Sequence, residues 1–100
     1  MTDADFTYTF GIGWRAPSNR LADILDQVSV KYGLSVADLK GPERFRRIAH
    51  PRQEAMWRMH QTGRYSLTQI GRFLGNRDHT TVLYGIRQHA ARLEAEKVAA

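Results

Sequence analysis

Apolar positions recur every three or four residues over most of the chain beyond residue 20, whereas the first seventeen residues alternate with period two. Between residues 20 and 32, Leu21, Ile24, Leu25 and Val28 fall on one helical face. Gly33 follows and suits the left-handed conformation that closes helices. Ser35, with Asp38 three residues on, resembles a capping box and opens a short turn through Val36 and Leu39, stopped by Gly41-Pro42. Residues 42–50 have no clear period and hold three arginines, which predicts a basic loop. Pro51 suits the first position of a helix. That helix is predicted to run to about residue 61, with Ala55, Met56 and Met59 inward, and to stop at Gly63.

Ser66 is placed to cap the next helix, whose inner face is Leu67, Ile70 and Leu74 and whose end is Gly75. Asn76 tolerates a left-handed turn conformation. Asp78 then caps a final helix from 79 to about 94, with Val82, Leu83, Ile86, Ala90 and Leu93 inward. Residues 95–100 read as a frayed tail. The pattern predicts an all-α fold: a compact bundle of four to five helices containing a helix-turn-helix, spanning 18–94.

Residues 1–17 read as an extended arm. Phe6, Tyr8, Phe10, Ile12 and Trp14 alternate with Thr7, Thr9, Gly11 and Gly13. Such a strand lacks a partner and is not stable alone, so its aromatic side chains either pack on the helical body, pair with another copy, or stay disordered. Pro17-Ser18 marks the boundary, and Ser18 is a candidate cap for the first helix.

One hundred residues make one small domain. Hydrophobic residues at 42% and charged residues at 25% exclude a disordered chain and a membrane protein. Asp3 and Asp5 at the start argue against a signal peptide. The absence of cysteine excludes thiolate zinc sites and a cysteine nucleophile, and suits a reducing cytoplasm. His50, His60 and His89 share no metal-ligand spacing, so no metal site is expected, and His60 and His89 read as surface residues. No nucleophile–base arrangement, paired carboxylates or phosphate loop can be assembled. Neither an enzyme, a cofactor nor a small-molecule substrate is expected.

The net charge of +5 is unevenly placed: residues 1–39 carry −2 and residues 40–92 carry +8. Ten of the eleven basic residues in the second stretch are arginine, which forks to phosphate and guanine better than lysine does. That is the footprint of a polyanion partner. Within it, residues 66–91 form a helix-turn-helix candidate. At the start of its second helix stand Arg77, Asp78, His79, Thr80 and Thr81, none of which a core requires. Each can bond a base edge or a phosphate in a major groove.

The stretch from Ile70 to Leu83 (Ile-Gly-Arg-Phe-Leu-Gly-Asn-Arg-Asp-His-Thr-Thr-Val-Leu) resembles the signature of the C-terminal DNA-binding domain of the bacterial replication initiator DnaA. Val36-Ala37-Asp38-Leu39, the basic residues at 43–50 and Pro51-Arg52-Gln53-Glu54-Ala55-Met56 resemble the same domain in order and spacing. The resemblance covers residues 21–93. It implies monomeric binding of double-stranded DNA at a short asymmetric site, the DnaA box. By resemblance, Asp78, His79, Thr80 and Thr81 would read bases in the major groove, and Arg44 would enter the minor groove. Arg52, Gln53, Arg77 and Arg87, with Arg46 and Arg47, would hold phosphates. His50 stands where the family usually has arginine, Asn76 replaces a second glycine, and Phe45 replaces a small polar residue. No counterpart of the family's ATPase domain fits in the hundred residues, and the arm at 1–17 matches nothing in the family. The expected role is regulation of replication initiation or transcription by a cytoplasmic, nucleoid-associated protein. The alternative is an adaptor of the replication machinery that uses the arm to bind itself or a replication protein. Deleting residues 1–17 separates the two, because an adaptor would lose its partner and keep its DNA affinity.

Overall fold

The structure, a computed structural model, describes residues 20–99. The arm at 1–17 and the Ser18 cap lie outside the described residues. Among the described residues there are five helices and no strand: α1 (Leu21–Tyr32), α2 (Val36–Lys40), α3 (Arg46–Gln61), α4 (Leu67–Phe73) and α5 (His79–Ala99). None of them is long and apolar enough to cross a membrane.

Local signals set most of the boundaries. Gly33 adopts φ +65°, and the N–H groups of Gly33 and Leu34 donate to the carbonyls of Val30 and Ser29 at 3.3 and 3.0 Å. Leu34 is then buried against the core, the usual companion of this helix ending. Ser35–Asp38 and Ser66–Gln69 each form a reciprocal capping box on α2 and α4.

Helix α3 is the central element and packs against each of the other four. The core gathers Ile24, Leu25 and Val28 of α1, Leu39 of α2, Ala55, Met56 and Met59 of α3, Ile70 of α4 and Val82 and Ile86 of α5. Leu34, Ile48 and Leu74 complete it.

Three expectations are corrected. Helix α3 begins at Arg46, not at Pro51. The carbonyl of Phe45 accepts the N–H groups of Ile48 and Ala49, and Ile48 is buried, so the first turn is anchored in the core. Pro51, the sixth residue of α3, has no N–H to pair with the Arg47 carbonyl and so forfeits one helical bond, a cost the helix carries while Ile48 is buried. The basic loop therefore shrinks to 42–45, and Arg46, Arg47 and His50 stand on α3. Secondly, α5 continues to Ala99, past the expected end at 94 and through most of the expected tail. Thirdly, the inward stripe of α5 is Val82, Gly85, Ile86 and His89, while Leu83, Ala90 and Leu93 are only half-buried. Gly85 faces α3 so closely that a Cβ there would lie 2.6 Å from Met56 Sδ. His89, expected at the surface, is buried, with its ring centroid 5.2 Å from that of Trp57.

One ionic cluster ties α1 to α3. Glu54 is buried and accepts from Lys31 Nζ at 2.9 and 3.1 Å and from the Tyr32 hydroxyl at 2.5 Å. Arg58, one turn further along α3, lies 3.6 Å from the same carboxylate.

Candidate nucleic-acid interface

The link between α4 and α5 is built from close backbone approaches. Gly75 and Asn76 adopt φ +75° and +63°, so the tolerance expected of Asn76 is used. The Arg77 N–H donates to the Gly71 carbonyl at 2.8 Å. A Cβ on Gly71 would sit 2.0 Å from the Arg77 carbonyl oxygen, so only glycine permits this return of the chain.

Asp78 then starts α5. Its Oδ1 accepts the Thr81 N–H at 2.9 Å and the Thr80 hydroxyl at 2.5 Å. The Thr80 hydroxyl, with the Thr81 amide behind it, holds the Asp78 carboxyl below the usual carboxylate range. Asp78, His79, Thr80 and Thr81 are all exposed, while Val82 immediately after them is fully buried. The tip thus projects from the body on a helix whose next residue is anchored in the core.

The basic loop is held from beneath by two arginine side chains. Arg52 Nε donates to the Leu39 carbonyl at 2.7 Å, Nη1 to that of Glu43 at 2.8 Å, and Nη2 to those of Gly41 and Asp38 at 3.0 and 3.3 Å. Arg77 Nη1 donates to the carbonyls of Leu74 and Lys40 at 2.5 and 3.3 Å, and its Nη2 to that of Gly41. Burial, and then the neighbouring Arg77 charge, lower the Arg52 pKa to about 10, which leaves it protonated at neutral pH. Burial also lowers that of Arg77. The Arg52 side chain is buried, so the phosphate contact expected of it is corrected: its guanidinium is engaged by four carbonyls. Arg77, half-buried, likewise turns toward carbonyls. These two arginines lock the loop to the helix-turn-helix. The fit at Gly75 tightens the junction further, since a Cβ there would meet the Lys40 carbonyl oxygen at 2.1 Å.

The lock brings two expected elements together. A groove of about 720 Å³ is lined by Arg44 and Lys40 from the loop side, Gln53 from α3, and Thr81 and Tyr84 from α5. Arg44, Arg46, Arg47 and Arg87 are exposed, and Gln53 is half-buried with its Oε1 bonded to no group among the described residues. His50 is exposed on α3, its pKa lowered by partial desolvation and by the charges of Arg92 and Arg46. Two exposed aromatic residues escaped the sequence reasoning as site residues: Tyr84, 61% exposed and lining the groove, and Phe45, 72% exposed and next to Arg44 in the chain. The signal for Tyr84 was its spacing, four residues after Thr80 and three before Arg87, which puts all three on one helical face.

Residues 21–88, well over half of the chain, match the family model described as the bacterial dnaA protein helix-turn-helix. The chain belongs to the bacterial DnaA helix-turn-helix family. Among its relatives, the chromosomal replication initiator protein DnaA of Caulobacter vibrioides (strain NA1000 / CB15N) is 47% identical over 74 residues, covering 74% of this chain and 15% of that protein. The protein of the same name from Cereibacter sphaeroides (strain ATCC 17029 / ATH 2.4.9) is 43% identical over 68 residues, covering 68% of this chain and 15% of the relative. That of Chloroflexus aurantiacus is 41% identical over 73 residues, covering 73% and 15%. The chain thus spans about 15% of the length of these DnaA relatives. The family match contains the whole locked unit of this DnaA-type domain, from α1 through the loop, both arginine anchors and the exposed tip of α5.

Proposed function

We propose that the chain binds double-stranded DNA in a sequence-specific manner at a DnaA-box-like site. The N-terminus of α5 enters the major groove, where His79, Thr80, Thr81 and the second carboxylate oxygen of Asp78 meet base edges. Arg44 reaches the adjacent minor groove, whose negative potential is strongest where it is narrow and A·T-rich. Arg46, Arg47, Arg87 and Gln53 hold phosphates and set the register without reading sequence. Arg52 and Arg77 act from inside, by fixing the distance between the two reading elements.

One observation carries this reading. The loop arginine Arg44 and the α5 residues Thr81 and Tyr84 line a single groove, beside a tip whose side chains are exposed and fill no core. The biological role that follows is occupation of DnaA boxes, in regulation of replication initiation or transcription. The test is titration of the chain with a duplex carrying a DnaA box and with a scrambled duplex, at several salt concentrations. Preference for the box, with affinity falling steeply as salt rises, is expected because phosphate contacts release counterions. Equal affinity for both duplexes contradicts sequence reading.

A further inference from the structure

Phe45 is a large apolar residue that the described fold leaves 72% exposed. It follows Arg44 and precedes Arg46 and Arg47, and all three arginines are exposed. Its backbone is not loose. Phe45 has φ −60° and ψ 141° as the residue before α3, and its carbonyl accepts two N–H groups, at 2.9 Å from Ile48 and 2.7 Å from Ala49. On the other side, the carbonyls of Gly41 and Glu43 are held by Arg52. An apolar ring is therefore presented outward on a fixed backbone, next to the arginine assigned to the minor groove and ringed by positive charge.

A partner for such a surface must offer both anionic groups and a dry apolar slot. A duplex offers both, as phosphates along the groove edges and as the space between stacked bases once a step opens. Apolar side chains wedged between base steps from the minor groove kink DNA by about 20–90° toward the major groove. We propose that Phe45 is such a wedge: it enters the minor groove beside Arg44, partly unstacks one base step and bends the bound site. This inference rests on the DNA-binding reading above and adds a shape-dependent component to its specificity. Flexible pyrimidine–purine steps at the wedge position are favoured, because they open at least cost.

The test uses the full chain and a DnaA-box duplex in which 2-aminopurine replaces adenine at one position after another, with dyes at the duplex ends to report bending. Binding of the unmodified chain raises 2-aminopurine fluorescence at a step facing the loop and shortens the end-to-end distance. Phe45→Ser abolishes the fluorescence rise and returns the distance toward that of the free duplex. Phe45→Leu, still an apolar wedge, keeps both signals. Phe45 is the N-cap of α3 and makes no side-chain cap bond, so Phe45→Ser adds a cap and raises the melting temperature while Phe45→Leu leaves it unchanged; neither variant loses its signals by unfolding. Specific binding by the unmodified chain with a silent probe at every position overturns the wedge while leaving DNA recognition intact. Equal unstacking and bending with Phe45→Ser overturns it too. Failure of the unmodified chain to prefer the box overturns the DNA-binding reading, and the wedge with it.

Discussion

Arg52 and Glu54 stand two residues apart on α3, carry opposite charges, and are both buried, yet they do not pair with each other. Each is consumed by a different neighbour: Arg52 by the carbonyls of α2 and the loop, Glu54 by Lys31 and Tyr32 of α1. A buried guanidinium with four carbonyl partners is stabilising only while the fork is complete, and its removal strands those carbonyls. Arg52→Ala is expected to cost about 3 kcal/mol of stability, read by thermal or urea unfolding, and Arg52→Lys to recover little of it. His79 belongs to the opposite category. It is exposed and has no structural duty, so His79→Ala should leave the melting temperature unchanged. On the box duplex it should cost about 1–3 kcal/mol, with little effect on a scrambled one. Arg87→Ala should weaken both duplexes alike and reduce the salt slope by about one. Equal behaviour of the His79 and Arg87 variants on the two duplexes would contradict the division between reading and positioning.

At the scale of elements, the turn between α4 and α5 sets two effects against each other. Alanine is preferred to glycine inside a helix by about 1 kcal/mol. At Gly71 that gain meets a backbone oxygen 2.0 Å away, and backbone cannot be moved aside by a rotamer change. Gly71→Ala is therefore expected to destabilise the fold by about 1–3 kcal/mol and to lower affinity for the box, as measured by unfolding and by titration. The same turn shows what the sequence made legible. Gly33, the Ser35–Asp38 pair, Ser66 and Asp78 announced four helix boundaries because capping chemistry is local and each residue type has one common use there. The start of α3 was hidden by Pro51, whose local preference for the first helical position was outweighed by a tertiary fact, the burial of Ile48. The inner stripe of α5 was displaced for a related reason: Gly85 and His89 are inward because α3 approaches closely, and hydrophobicity counts neither as core. At the site, the exposed tip was legible from residue types alone. The inward turn of Arg52 and Arg77 was not, since an arginine in a basic stretch looks the same whether it meets a phosphate or the chain's own carbonyls.

At the scale of the molecule, the charged groups set a direction for acid stability. Burial lowers the His89 pKa, with the nearby Glu54 opposing it, so the fold favours the neutral ring. Its contribution is complete above the unfolded value of about 6.5 and is lost as pH falls through the lower folded value. Glu54 is lowered as well, because the bonds from Tyr32 and Lys31 together outweigh the cost of burial. Its contribution is complete above about 4.3 and is lost as pH falls further. Melting temperature is thus expected to decline on acidification in two successive windows, the first below about pH 6.5 and the second below about pH 4.3. His89→Gln should make the first decline shallower, leaving the part that His50 contributes, and leave the second; an unchanged profile would contradict the role given to His89.

DNA recognition by this chain requires residues 42–47 and the first turns of α5 to act as one face toward the duplex. Backbone amide chemical shifts, followed while a box duplex is added to the isotopically labelled chain, test this most directly. Large changes are expected at Arg44–Arg47 and from Asp78 to Arg87, with little change around Val30 and Lys31 on α1. Changes concentrated on that α1 surface, with Asp78 through Thr81 undisturbed, would contradict this arrangement.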